Sequence, residues 1–307
     1  MYIITLNYAN VVPDGENNKL VYKFPNSVPL IDKYIALSSL TMYNSWFNIM
    51  SKFQNNTFSY TWTSGAISTV YTITMPDGLY EVSDINKYVQ FCCIQNGTYW
   101  VANGNYYYPF DIQVNPVRYA IQLNTYLIPT VAPAGTTIPP PVGWPAVSFN
   151  SIVTFPDKFN LNIGYLPINS VNFSSNNNVG NAYVPPTPAT KATYYATKDA
   201  TGTISYLSNS FPNIHPNDTL YLTMSNINNP YNLPSSIITT VTSDVAIGEV
   251  ITMQPPNYAW TKMIDGYYNE LRFGFFGVDL QPVYIADPYI TITLVIRDKD
   301  EAYLGAK

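Results

Sequence analysis

The sequence predicts an all-β protein: a single jelly-roll β-sandwich with one short helix and a long-loop or inserted β region. Three observations carry this. Short apolar/polar alternations of period two recur along most of the chain. Turn clusters rich in Pro, Gly and Asn separate them, and only one stretch has helical spacing. The last run is the strongest, with Ile290, Ile292, Leu294 and Ile296 on one face. Such a strand needs a sheet beside it and a second apolar layer beneath it.

In chain order, residues 1–8 read as a strand, and Pro13-Asp14-Gly15 forms a turn. Residues 19–24 form a short strand that Pro25 stops. From residue 34 the apolar phase runs Ile35, Leu37, then shifts to Leu40, Met42. A one-residue shift flips the buried face, so a β-bulge or a crossing between sheets is expected near Ser38-Ser39. Residues 58–62 and 69–75 alternate again, with Ser64-Gly65 as a hairpin signal. The helix follows, capped by Ser83 or Asp84, with Val82, Ile85, Val89 and Cys92 near one face and Asn96-Gly97 as its stop.

Strands resume at 108–114 and 118–126, and then the composition changes. Residues 129–145 are rich in Pro and Gly, a second patch of Asn and Pro spans 176–188, and strand-like pieces lie between them around Phe149 and Phe159-Asn160-Leu161. Residues 128–215 therefore read as an insertion or elaborated loop region of one domain spanning 1–307, against an unstructured linker as the competing reading. Strong strands return at 219–224, 237–241 and 249–253, ahead of the final pair at 265–273 and 286–299. No internal period suggests a propeller or solenoid. Many short strands with Pro/Gly turns imply a sandwich or barrel, and the jelly roll is the form that tolerates long inserted loops.

Composition narrows the function. Hydrophobic residues make up 47% of the chain but charged residues only 11%, against about 25% in ordinary soluble domains. Polarity rests instead on Asn, Thr, Ser and 28 Tyr, a balance suited to extensive protein–protein surface because Tyr buries a large ring while its hydroxyl still finds a partner. The net charge is −5 and no run of Lys or Arg occurs, so no direct nucleic-acid partner is expected. The first residues lack the basic and apolar regions of a signal peptide. No run approaches membrane-spanning length, so no membrane insertion is expected. Cys92 and Cys93 are adjacent; a bridge between them would be strained, and free thiols in a reducing compartment are expected.

Enzymatic signals are poor. His215 is the only histidine and precedes Pro216, as a turn residue does. One His and two adjacent Cys make no zinc site. No phosphate-cradling loop or nucleophile elbow is present. Asp111, Asp218, Asp265, Asp279 and Asp287 could converge as paired carboxylates, but most sit beside Gly, Pro or Asn, where Asp serves turns. No catalytic residue, cofactor or metal is therefore expected. Of the tryptophans that could stack on a sugar, Trp62 and Trp260 lie in strand contexts and read as core, and Trp144, in the proline-rich loop, is the candidate for an exposed ligand contact.

Three stretches together resemble a known family. These are Tyr34-Ile35-Ala36-Leu37-Ser38-Ser39-Leu40 with Asn44-Ser45-Trp46-Phe47-Asn48-Ile49; Met75-Pro76-Asp77-Gly78-Leu79-Tyr80-Glu81-Val82-Ser83-Asp84-Ile85-Asn86; and Asp265-Gly266-Tyr267-Tyr268-Asn269-Glu270-Leu271 with Asp287-Pro288-Tyr289-Ile290-Thr291-Ile292. They resemble the penton, or minor capsid, proteins of virophages and polinton-like viruses, those of the Mavirus type in particular. The resemblance implies a jelly-roll penton, a homopentamer forming the five-fold vertices of an icosahedral capsid among neighbouring major capsid protein capsomers. It implies a virion location after assembly in the host cell cytoplasm. A host receptor or glycan is a further candidate partner. No family pattern matches residues 128–215, and no catalytic residues carry over. The alternative is a β-sandwich carbohydrate- or receptor-binding module of a virion spike, marked by an exposed aromatic row; a glycosidase on a β-scaffold is the second.

Overall fold

The computed structural model describes residues 1–165, 171–173, 195–208, 212, 219–246, 248–278 and 280–299. The chain forms two compact units, one of Met1–Phe47 with Pro216–Lys307 and one of Asn48–His215. The first unit opens with β1 (Tyr2–Leu6), β2 (Lys19–Leu30) and β3 (Lys33–Tyr43). The second holds β4 (Thr57–Ser64), β5 (Ile67–Thr74), α1 (Val82–Gln95), β6 (Trp100–Ala102), β7 (Asn105–Tyr107), β8 (Phe110–Asn115), β9 (Ala120–Thr125), β10 (Leu127–Ile128), β11 (Thr136–Ile138), β12 (Phe149–Asn150), β13 (Val153–Phe155), α2 (Asp157–Ile163), β14 (Val171–Phe173), β15 (Tyr195–Lys198) and β16 (Ile204–Leu207). The chain then returns to the first unit for β17 (Thr219–Met224), β18 (Ile237–Thr242), β19 (Val250–Met253), β20 (Thr261–Lys262), β21 (Gly266–Phe276) and β22 (Thr291–Asp298).

The first unit has two antiparallel sheets, ordered β1-β22-β3-β19, with short β20 also on β3, and β18-β17-β21-β2. Leaving out β20, one sheet takes the first, eighth, third and sixth strands in sequence, and the other takes the fifth, fourth, seventh and second. That is the interleaved order of an eight-stranded jelly roll. Its core joins Ile292, Leu294 and Ile296 of one sheet to Leu220, Leu222, Met224, Leu271, Phe273 and Phe275 of the other. The alternation read in β22 is this buried face.

The phase shift in β3 is a bulge. Thr293 faces Ser39 while Leu294 faces Leu37, so Ser38 is the extra residue. It lets Ile35, Leu37, Leu40 and Met42 all reach the core. Two expectations need correction here. Pro25 does not end β2; the register breaks between Lys23 and Val28, and the strand continues to Leu30. β2 lies at a sheet edge, where prolines that cannot donate are tolerated. Trp260 is neither in a strand nor in the core. It is half-buried, and the Arg297 guanidinium lies 3.9 Å from its ring centre.

The second unit contains the sheets β14-β13-β4-β5, β15-β16-β9-β8 and β11-β6-β7 and the pair β10-β12. The stretch 128–215 falls inside this unit, whose chain begins at Asn48. α1 packs Val82, Ile85, Val89 and Cys93 into a core with Phe58, Phe110, Leu123 and Phe155. Cys93, rather than Cys92, completes the buried stripe, because steps of three and four residues from Val82 arrive there. The helix cap is Glu81, not Ser83 or Asp84; Asp84 instead accepts the Glu81 N–H at 3.3 Å from the first turn. Gly97, just past the helix, has φ +70°, a conformation glycine adopts freely. Residues 159–161, expected as strand-like, lie in a second helix, α2. Pro156 precedes it and Asp157 stands in its first turn, both favourable to a helix start.

Candidate assembly surfaces and binding groups

Register places the outward residues of the first sheet in rows. Thr5, Thr293 and Ser39 are adjacent across β1, β22 and β3, as are Ile3, Val295 and Ala36. Thr291, Thr41 and Thr252 form a third row across β22, β3 and β19. Arg297 is the one charged residue at the outward positions of these four strands. Its Nε has no hydrogen-bond partner among the described residues. At the strand ends, Lys33 pairs with Asp298.

The outward side of the other sheet is charged along β2 and β21. Lys19 and Lys23 of β2 and Glu270 and Arg272 of β21 line a groove of about 760 Å³ with Val11, Val12 and Val21. Its charges are largely spent on one another: Lys19 reaches Asp14 at 3.0 Å, and Arg272 Nε donates to Glu270 at 2.7 Å. It is not a focused anion site.

The residues singled out as chemical candidates disperse. His215, Asp218 and Asp279 lie outside the described residues. Asp111 accepts hydrogen bonds from Asn124 at 2.7 Å, Gln113 at 2.7 Å and Tyr126 at 2.6 Å. It belongs to an amide ladder on β8 and β9. Burial, followed by the hydrogen bond to the Asp111 carboxylate, pushes the Tyr126 hydroxyl up. Asp265 accepts the Asp32 N–H at 2.9 Å, which with Lys262 holds its carboxyl below the ordinary value. Asp287 accepts the Tyr289 N–H at 2.8 Å in a local turn. Both cysteines are free thiols, and burial raises both, Cys93 to about 12. They are therefore protonated near neutrality and poor nucleophiles. No group of three or more metal-ligating side chains is positioned to hold an ion among the described residues, and no described helix is long and apolar enough to cross a membrane.

The tryptophans do not form a row. Trp62 and Trp100 are buried with Ile128, and Trp144 packs half-buried against them, its ring 5.6 Å from that of Trp100 at 59°. A row of parallel aromatic rings is made by tyrosines instead, with Tyr106 exposed and Tyr99 and Tyr108 partly buried. Val101 pairs with Tyr106 across the β6–β7 hairpin and Trp100 with Tyr107, so Tyr99, Tyr106 and Tyr108 share one face and Trp100 and Tyr107 the other. Tyr106 stands 5.9 Å from Tyr99 and 6.4 Å from Tyr108, with interplanar angles of 18° and 15°. The sequence signal was the run Tyr106-Tyr107-Tyr108 after Asn103-Gly104.

Strand order, buried faces and the second β-rich unit in the connection from β3 to β17 define an all-β jelly-roll protein with a large inserted region. No family model matches the chain, and no curated protein matches it. Among solved structures it is similar to the mavirus penton protein, at 8% identity and a TM-score of 0.40 over 96% of this chain and 98% of that one. It is also similar to a chain of the Sputnik virophage solved by cryo-EM, at 11% identity and a TM-score of 0.35 over 98% of this chain and 99% of that one. The jelly-roll assignment stands on the strand order of the first unit.

Proposed function

We propose that this is a non-enzymatic structural protein of a virion, five copies of which close a vertex of an icosahedral capsid beside neighbouring major capsomers. Its place is the capsid vertex, after assembly in the host cytoplasm, and the Asn48–His215 unit is an inserted domain of that subunit. The observation that carries the reading is the outward face of the β1-β22-β3-β19 sheet, neutral except for Arg297. A solvated sheet face normally alternates toward charged and polar residues. Ala36 and Val295 are already covered within the chain, and the Thr and Ser rows that remain can be buried against another subunit without desolvating charges. Arg297 is stacked on Trp260, and its buried Nε has no hydrogen-bond partner among the described residues. A ring of five needs a heterologous contact that closes on itself. The three sequence stretches that resemble virophage pentons support the same role.

The test is the mass of the purified chain over a range of concentrations, by light scattering or mass photometry, with imaging of any oligomer. Five-membered rings that co-assemble with a major capsid protein are the expected result. A trimer would replace the vertex role with that of a spike, and a monomer that fails to co-assemble would end the proposal.

A further inference from the structure

We propose that the Tyr99–Tyr106–Tyr108 face of the second unit binds a neutral glycan, a chain of hexoses carrying no carboxylate, sulfate or phosphate. The three rings are stacked nearly parallel; Tyr106 is 55% exposed, and Tyr99 and Tyr108 are partly exposed beside it. Aromatic faces suit the apolar C–H faces of pyranoses, while phenolic hydroxyls meet sugar hydroxyls at the edge. The base beneath the rings is fixed. On the opposite face Trp100 stacks on Tyr107 at 5.4 Å and 8° and joins the buried cluster with Trp62. β11 holds the other edge of β6, and the Asn103 N–H donates to the Gly135 carbonyl at 2.9 Å. A rigid platform limits the entropy lost on binding.

Charge decides the ligand class. No Asp, Glu, Lys or Arg occurs between Lys87 and Asp111, nor between Arg118 and Asp157. All three strands of this sheet therefore come from charge-free sequence. An acidic sugar or an acidic peptide would find no cation in them to replace its hydration. Area argues against a second copy as occupant. Tyr106 at 55% exposure and the partly buried Tyr99 and Tyr108, at roughly 200 Å² each when fully open, offer at most about 250 Å², whereas a stable protein interface needs roughly 800 Å² per partner.

The experiment titrates the full chain with soluble neutral oligosaccharides (gluco-, galacto- and manno-series) and with sialylated counterparts, by saturation-transfer NMR and calorimetry. Saturation is expected to reach pyranose C–H protons of a neutral series. Tyr106→Ala should weaken binding about two- to tenfold, and Tyr106→Phe should retain most of it. Tyr267→Ala, an exposed tyrosine of the first unit, serves as the control and should change nothing. Unaltered circular dichroism and melting show that each variant folds. Three results would overturn the proposal: no neutral series binds, binding survives Tyr106→Ala and Tyr99→Ala unchanged, or only sialylated glycans bind. A change in oligomer mass on Tyr106→Ala without glycan binding also overturns it, and assigns the face to protein contact. The readout is per chain, so it stands or falls separately from the five-fold assembly.

Discussion

Deleting Ser38 removes the one residue that lets both halves of β3 face the core. Without it the strand keeps a single phase, and one half turns outward. If the later half turns, Leu40 and Met42, both fully buried, leave the core and Thr41 enters it. If the earlier half turns, Ile35 and Leu37 leave instead. Burying a large apolar side chain contributes about 1.5–3 kcal/mol, so losing two costs roughly 3–6 kcal/mol before any polar burial is added. Folded domains hold only about 5–15 kcal/mol in all. Urea unfolding followed by circular dichroism should therefore show a loss above about 3 kcal/mol, and native-state hydrogen exchange should place the loss in β3, β19 and β22. Ser38→Ala keeps the bulge and serves as the control, expected within about 1 kcal/mol of the parent. A deletion variant within about 1 kcal/mol of the parent would refute the claim that the bulge sets the buried face.

Thr293→Lys plants an unpaired charge in the middle of the neutral sheet face. If that face is buried on assembly, association should weaken by roughly two to four decades, from about 3–5 kcal/mol for a buried unpaired charge. Light scattering should detect this while melting stays near the parent's, and Val21→Lys, between the charged residues of β2 and β21, should assemble normally. Cys93 ionises at about 12 when folded, above its ordinary 9.0 because burial disfavours the thiolate. The stability this contributes is complete below pH 9 and is lost as pH rises towards 12, so Cys93→Ala should flatten the alkaline limb of an unfolding profile. Gly135 has φ +79°, and a Cβ there would lie 2.0 Å from Asn103 Oδ1. Gly135→Ala should cost at least about 1–2 kcal/mol and increase amide exchange in β6 and β11.

The jelly roll was legible in the chain because its strands are buried on one face only. Ile290 to Ile296, Leu220 to Met224 and the phase shift at Ser38 each left a period-two mark that no helix would leave. What alternation cannot show is which sheet a strand joins. Strands β4 and β8 alternate as cleanly as β22, yet their partners are in the second unit, and pairing between residues far apart in sequence leaves no local trace. α2 escaped for another reason. Its seven residues hold under two full turns, too few for helical spacing to outweigh the apolar look of Phe159-Asn160-Leu161.

The candidate binding face was half visible. Trp144 drew attention because tryptophan is rare and lay in a proline-rich loop, but a large ring in a loop is as readily folded back onto the core, and here it packs on Trp100. The consecutive residues Tyr106, Tyr107 and Tyr108 cannot all share a face in a strand, since successive side chains alternate. One of them must turn inward and two outward, or the reverse. The hairpin at Asn103-Gly104 decides it by setting Trp100 opposite Tyr107, which puts Tyr107 on the face of the buried Trp100 and Tyr106 and Tyr108 with Tyr99 on the other, where Tyr106 is the exposed ring. A two-residue loop in that hairpin thus sets which of these aromatic residues share a face. Lengthening it by one residue should exchange the two sets and abolish both the Trp100–Tyr107 stack and the tyrosine row.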